Sequence, residues 1–135
     1  MALPGGHRDG GDPDVLHTAV RETREEVGLD LVRDAELLGR LSGVRAIARG
    51  RVQNLEIVPL VFALHGAADT RPDPREVQEV VWAKLSPLIS GAAATTFDYA
   101  HDGRLHALPA FDVSGRIVWG LTYRILRDLF ALLDP

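Results

Sequence analysis

The residues Leu3 to Leu29, LPGGHRDGGDPDVLHTAVRETREEVGL, constrain this chain most: they set Arg21, Glu22, Glu25, Glu26 and Gly28 in the spacing RExxEExG just after Pro4-Gly5-Gly6. Asp12 or Asp14 can cap a helix here, Pro13 suits its first turn and Gly28 its end, so the spacing predicts a helix of about four turns. At about 100° per residue, Glu25 and Glu26 fall within about 60° either side of Glu22. Leu16, Ala19, Val20, Thr23 and Val27 gather on another arc. The helix is therefore expected to have an anchored side and an acid side.

Crowded carboxylates repel one another, so a cluster held opposite a buried stripe calls for a cation. Mg²⁺ or Mn²⁺ suits it, because hard cations of that size take carboxylates, waters and phosphate oxygens. Arg21 adds a guanidinium fork that can pair with a glutamate and aim it. The Pro4-Gly5-Gly6 turn lets backbone come close with no side chain in the way. An acidic run on a helix is ordinarily a solvated face laced by charge pairs. Chance weighs against that here: at average residue frequencies the five fixed positions arise together on the order of once in a million starts.

The segment resembles the Nudix box, in which a glycine and an acid precede RE, an apolar residue, any residue, EE, any residue, Gly and an apolar residue. Gly6 stands at the first glycine and Asp12 at the acid. The chain departs in having Asp for Glu there, eight residues instead of seven before Arg21, and Thr23 at the apolar position. The branch that cleaves coenzyme A is similar to it in the Asp and the longer spacing. A softer likeness to that branch lies in PAF followed by GRIVWGLTYRIL; Trp119 within it is read as a core aromatic.

At 135 residues the chain is long enough for one core, and the expectation is a single Nudix hydrolase domain over residues 1–135, N-terminally incomplete. A net charge of −4 gives no broad basic surface, which disfavours a nucleic-acid partner. The absence of cysteine excludes a disulfide framework and a thiolate metal site, and is compatible with the expected cytoplasmic location. No apolar run reaches the eighteen or so residues that span a bilayer, so no membrane association is expected.

Further along, residues 35–47 suggest a strand pair or a bent strand, 48–54 a loop or hairpin end, and 56–64 a buried strand whose Pro59 must sit at an edge or bulge. Residues 77–85 alternate as a strand, 91–103 look irregular, 105–111 read as a last strand, and the tail from Arg116 as a helix. The class is α/β, a Nudix-like α/β/α sandwich with a mixed sheet. The resemblance implies strands before the Pro-Gly-Gly turn, and relatives often read VALPGG there. Met1 is accordingly read as a valine whose GTG codon was taken as a start, with an open sheet edge that a second chain, as in a homodimer, can cover if the short form is natural.

The resemblance further implies that Glu22, Glu25 and Glu26 bind Mg²⁺ or Mn²⁺, that Gly5 adds its carbonyl oxygen, and that Arg21 orients the acids. Glu79 is the candidate proton acceptor, its alternative being an exposed strand carboxylate. Arg45, Arg49 and Arg51 are candidates for the substrate's phosphates, the alternative being solvated loop charge. The five histidines show no metal-ligand spacing and no serine sits in a GxSxG elbow. Phe97 and Tyr99 are read as buried rather than stacking a base. The expected activity is metal-dependent hydrolysis of a diphosphate linkage in a nucleoside diphosphate derivative, CoA or a CoA derivative first, giving 3',5'-ADP and 4'-phosphopantetheine. NADH, ADP-ribose or oxidised nucleotides are alternative substrates, and a non-catalytic nucleotide-binding module is the alternative class.

Overall fold

The computed structural model describes residues 1–48 and 51–133. It has an α/β make-up, with four helices and seven strands among the described residues, and the strands pair antiparallel in three small sheets. Two compact units are formed, one from Pro4 to Val81 and one from Trp82 onward with Met1–Leu3.

In the first unit, helix α1 (Val15–Val27) starts where the Asp14 carboxylate accepts the His17 N–H at 2.9 Å. It ends at Gly28, whose φ of 74° is a left-handed conformation, with its N–H donating to the Arg24 carbonyl at 3.0 Å. Leu16, Ala19 and Val20 are half-buried, whereas Thr18, Thr23 and Val27 are buried. The anchored arc is thus partly polar, and Thr18 tolerates burial because its hydroxyl is hydrogen-bonded to Asp12 at 3.0 Å. A single turn, α2 (Leu31–Asp34), leads into β1 (Ala35–Arg40).

Residues 35–47, expected as a strand pair or a bent strand, form two strands, β1 and β2 (Val44–Ala48), that lie in separate sheets and do not pair with each other. Of the loop or hairpin end expected over 48–54, the hairpin end is found, with Ala48 opposite Arg51, while the loop is a correction because β3 (Arg51–Ile57) begins at Arg51 and pairs with β2. The continuous strand expected over 56–64 breaks at Val58-Pro59, so that β3 serves β2 while β4 (Leu60–Leu64) pairs with β1. Proline has no N–H for a ladder, and Pro59 instead offers its carbonyl to the Leu41 N–H at 3.0 Å.

No strand forms over 77–85. The segment before it is bound elsewhere: the Arg71 and Asp73 N–H groups donate to the Val27 and Glu26 carbonyls at 2.8 and 2.9 Å, and the Glu76 and Val77 N–H groups to the Asp73 carbonyl. The Arg71 and Asp73 bonds satisfy carbonyls that the end of α1 leaves open.

In the second unit, a short helix α3 (Leu85–Ile89) precedes β5 (Ala94–His101), β6 (Arg104–Val113) and β7 (Arg116–Trp119). The irregular stretch expected at 91–103 is therefore mostly strand, and the helix expected from Arg116 starts four residues later as α4 (Gly120–Leu133). Asp102-Gly103 and Ser114-Gly115 supply consecutive positive φ angles, 49° and 71°, then 53° and 81°, which close the two hairpins. α4 packs through Tyr123 and Phe130 on Phe111 of β6. Trp119 stacks on Phe97 with centroids 4.3 Å apart and meets Tyr99 at 5.5 Å, but all three rings are half-buried and not the buried core aromatics expected. No helix among the described residues is long and apolar enough to cross a membrane.

Candidate active site

Helix α1 and the turn that precedes it build the acid cluster, and Arg21 is its centre. Its guanidinium donates to the Asp12 carboxylate (Nη2 at 2.8 Å, Nε at 3.2 and 3.3 Å), to Glu22 Oε1 at 2.9 Å, to Glu25 Oε2 at 3.2 Å and to the His7 carbonyl at 3.1 Å. Only an arginine fork can reach a carboxylate on either side at once. Asp12, 8% exposed, also accepts from the Asp9 N–H at 3.0 Å and the Thr18 hydroxyl. The Arg21 hydrogen bond, above all, holds the Asp12 carboxyl well below the usual carboxylate range. Asp12 in turn is the chief cause of the raised Arg21 pKa.

Glu26 takes a different partner: its Oε2 accepts the Gly5 N–H at 3.0 Å. Burial pushes its carboxyl pKa up, the Gly5 hydrogen bond acts against that, and the charges of Glu22, Glu76 and Glu25 push it further. Gly6 lies so close to α1 that a Cβ there would collide with the Glu22 carboxylate. The glycine turn is thus the floor against which Glu22 and Glu26 rest.

One oxygen each of Glu22, Glu25 and Glu26 is engaged by Arg21 or Gly5, and among the described residues nothing is hydrogen-bonded to the other. Hard oxygen donors with a free lone-pair side fit a divalent cation in chemistry and number. As the side chains stand, no group of three or more acids or histidines among the described residues converges on one metal position. Gly5, expected to contribute a carbonyl, contributes its N–H to the cluster.

The remaining candidates lie outside α1. Glu79 is exposed in the irregular segment where a strand was expected. Arg45 and Arg51 are exposed on β2 and β3, and no hydrogen bond or ion pair joins either to the α1 acids among the described residues. Arg49 lies outside the described residues. Sequence reasoning missed Glu76, whose charge acts on Glu26; its only forward signal is the turn-forming run RPDPRE. A cavity of about 680 Å³ opens beside Arg21, bounded by Asp12, His17, Val20, Arg24 and Glu25.

A family model described as NUDIX domain matches residues 1–104, which takes in the whole acid cluster. The chain is 34% identical over 139 residues to the mitochondrial coenzyme A diphosphatase NUDT8 of Homo sapiens, and equally to that of Mus musculus, matched in both cases over its full length. It is 26% identical over 96% of its length to the Nudix hydrolase NudL of Photorhabdus laumondii. It spans 56%, 63% and 66% of those three relatives respectively. With more than half of the chain matched and the RExxEExG helix folded as its spacing requires, the chain belongs to the Nudix family.

Proposed function

We propose that this chain hydrolyses a diphosphate linkage in a nucleoside diphosphate derivative, with CoA or a CoA derivative as substrate, in a reaction that depends on Mg²⁺ or Mn²⁺. The observation that carries the reading is Arg21 spanning Asp12, Glu22 and Glu25 while Glu26 is held by Gly5 on the same helix. The naming of NUDT8 as a coenzyme A diphosphatase supports the choice of substrate.

Glu22, Glu25 and Glu26 would hold the metal through their open oxygens, with the Gly5 carbonyl as a further ligand. A bound Mg²⁺ or Mn²⁺ supplies neutralisation of the anionic diphosphate and activation of a water. Arg21 keeps two of the acids pointed while Asp12 and the His7 carbonyl fix its own fork. Water oxygen bonds to one phosphorus, the bond from that phosphorus to the bridging oxygen breaks, and the bridging oxygen leaves with the second phosphate. The proton released by the water passes to a carboxylate. Glu76 is favoured for that role by its action on Glu26, and Glu79 is the other candidate. For CoA the products are 3',5'-ADP and 4'-phosphopantetheine.

A panel of CoA, NADH, ADP-ribose and nucleoside triphosphates assayed with each metal tests the reading. CoA is expected to have the highest kcat/KM, and no turnover of any of them with either metal would overturn it. A second reading, a nucleotide-binding module without turnover, starts from the acids as they stand, of which no three converge on one metal position among the described residues. Calorimetric binding of CoA with no product formed would select it.

A further inference from the structure

The C-terminal end of α1 carries a strap. Residues 71–77 lie across it, held by the Arg71 N–H on the Val27 carbonyl at 2.8 Å and the Asp73 N–H on the Glu26 carbonyl at 2.9 Å. Gly28 is the seat. A Cβ there would stand 2.9 Å from the Arg71 carbonyl oxygen and 3.1 Å from its nitrogen, and at φ 74° the position also strains any L side chain. The final glycine of RExxEExG therefore admits the strap as well as ending the helix.

Asp73 is the hinge pin of this strap. Its backbone joins Glu26 to Glu76 in two steps, N–H to the Glu26 carbonyl and carbonyl to the Glu76 N–H at 3.0 Å. Its carboxylate then locks the residue between, accepting the Arg75 N–H at 2.9 Å and the Arg75 guanidinium at 2.6 Å (Nη2) and 3.0 Å (Nε). The Asp73 side chain is about one-fifth exposed while that of Arg75 is 87% exposed, so the clasp closes over the Asp73 carboxylate from the solvent side. An Asx-type turn of this kind fixes the backbone direction two to three residues on, which is where Glu76 emerges.

We propose that Asp73 is a positioning residue, and that the strap seated on Gly28 exists to set Glu76 beside the Glu26 end of the acid helix. The inference rests on the diphosphatase reading and adds to it a residue that touches neither substrate nor metal. Removing the clasp leaves Glu76 in place chemically but lets it swing, so the loss falls on kcat and not on KM.

Two measurements test it. In the first, D73A is expected to lower kcat for CoA about tenfold at near-constant KM, and D73N to recover most of the loss because its amide oxygen still accepts from the Arg75 N–H. The D73A/E76Q double variant is expected to be no slower than E76Q alone. Multiplying effects, a loss confined to KM, or D73N as slow as D73A would each overturn the role. In the second, amide hydrogen exchange on the whole chain is expected to show Arg71 and Asp73 protected, and G28A to lose that protection tenfold or more while the middle of α1 keeps its own. Unprotected amides in the wild-type chain overturn the strap whatever the activity. Protected amides in a chain that hydrolyses none of the diphosphates would instead fail the diphosphatase reading, and Asp73 would then be a helix cap without a catalytic part.

Discussion

Glu26 and Thr18 show how differently two residues of one helix bear on the site. Glu26 is a half-buried acid among acids, and its raised pKa means that its charge opposes the fold. Glu26→Gln is therefore expected to lower metal-dependent turnover by on the order of 10²–10³. Its melting temperature without metal should equal or exceed that of the parent, read by circular dichroism. A variant that keeps full turnover contradicts the role given to Glu26. Thr18 never touches the acid side, yet its hydroxyl donates to the buried Asp12 that braces Arg21. Thr18→Val should cost about 1 kcal/mol in a urea titration, the usual net worth of one buried hydrogen bond. An unchanged midpoint would show the hydroxyl to be idle. Spacing alone reveals Glu22, Glu25 and Glu26, because identity and period coincide there. Thr18 and Glu76 escape that reading: one is a polar residue buried by a partner six residues away, the other arrives through a turn fifty residues after Glu26.

Among the elements, α1 and the strap share a dependence on depressed carboxyls, and acid should dissolve both. Asp12 is held well below its ordinary value mainly by Arg21, and Asp73 down to about 2 mainly by Arg75. A carboxyl whose folded pKa is lowered contributes stability that is present above the unfolded value near 4 and is lost as pH falls through the folded one. Glu26 acts in the opposite sense, since its raised pKa makes protonation favour the folded chain. The melting temperature in metal-free buffer is thus expected to fall between about pH 4 and pH 2, and Asp12→Asn to flatten that fall; equal slopes for parent and variant would remove Asp12 from the account. The elements also show where pattern reading ends. Alternation over 77–85 resembles a strand, but no ladder partner takes it up. The converse holds at 94–101, a strand that its own Thr95, Thr96, Phe97 and Tyr99 and the Asp102-Gly103 turn beside it both signal.

At the scale of the whole molecule, every proposed metal ligand lies in the unit from Pro4 to Val81, while the aromatic packing of Phe97, Trp119 and Phe111 lies in the other. The net charge of −4 sets no such boundary; the placement of Gly5, Glu22, Glu25 and Glu26 does. A cation bound only by the folded chain stabilises it by mass action, about 1.4 kcal/mol at ten times its dissociation constant. Mn²⁺ or Mg²⁺ should therefore raise the melting temperature, a chelator should reverse the rise, and Glu22→Gln or Glu26→Gln should abolish it while Arg45→Ala keeps it. Hydrogen exchange adds the location: metal-induced protection is expected at the glycine turn, along α1 and in the strap. Protection gained instead at residues 94–119, with α1 unchanged, would place the ligands on the three-stranded sheet and take the metal away from the acid helix.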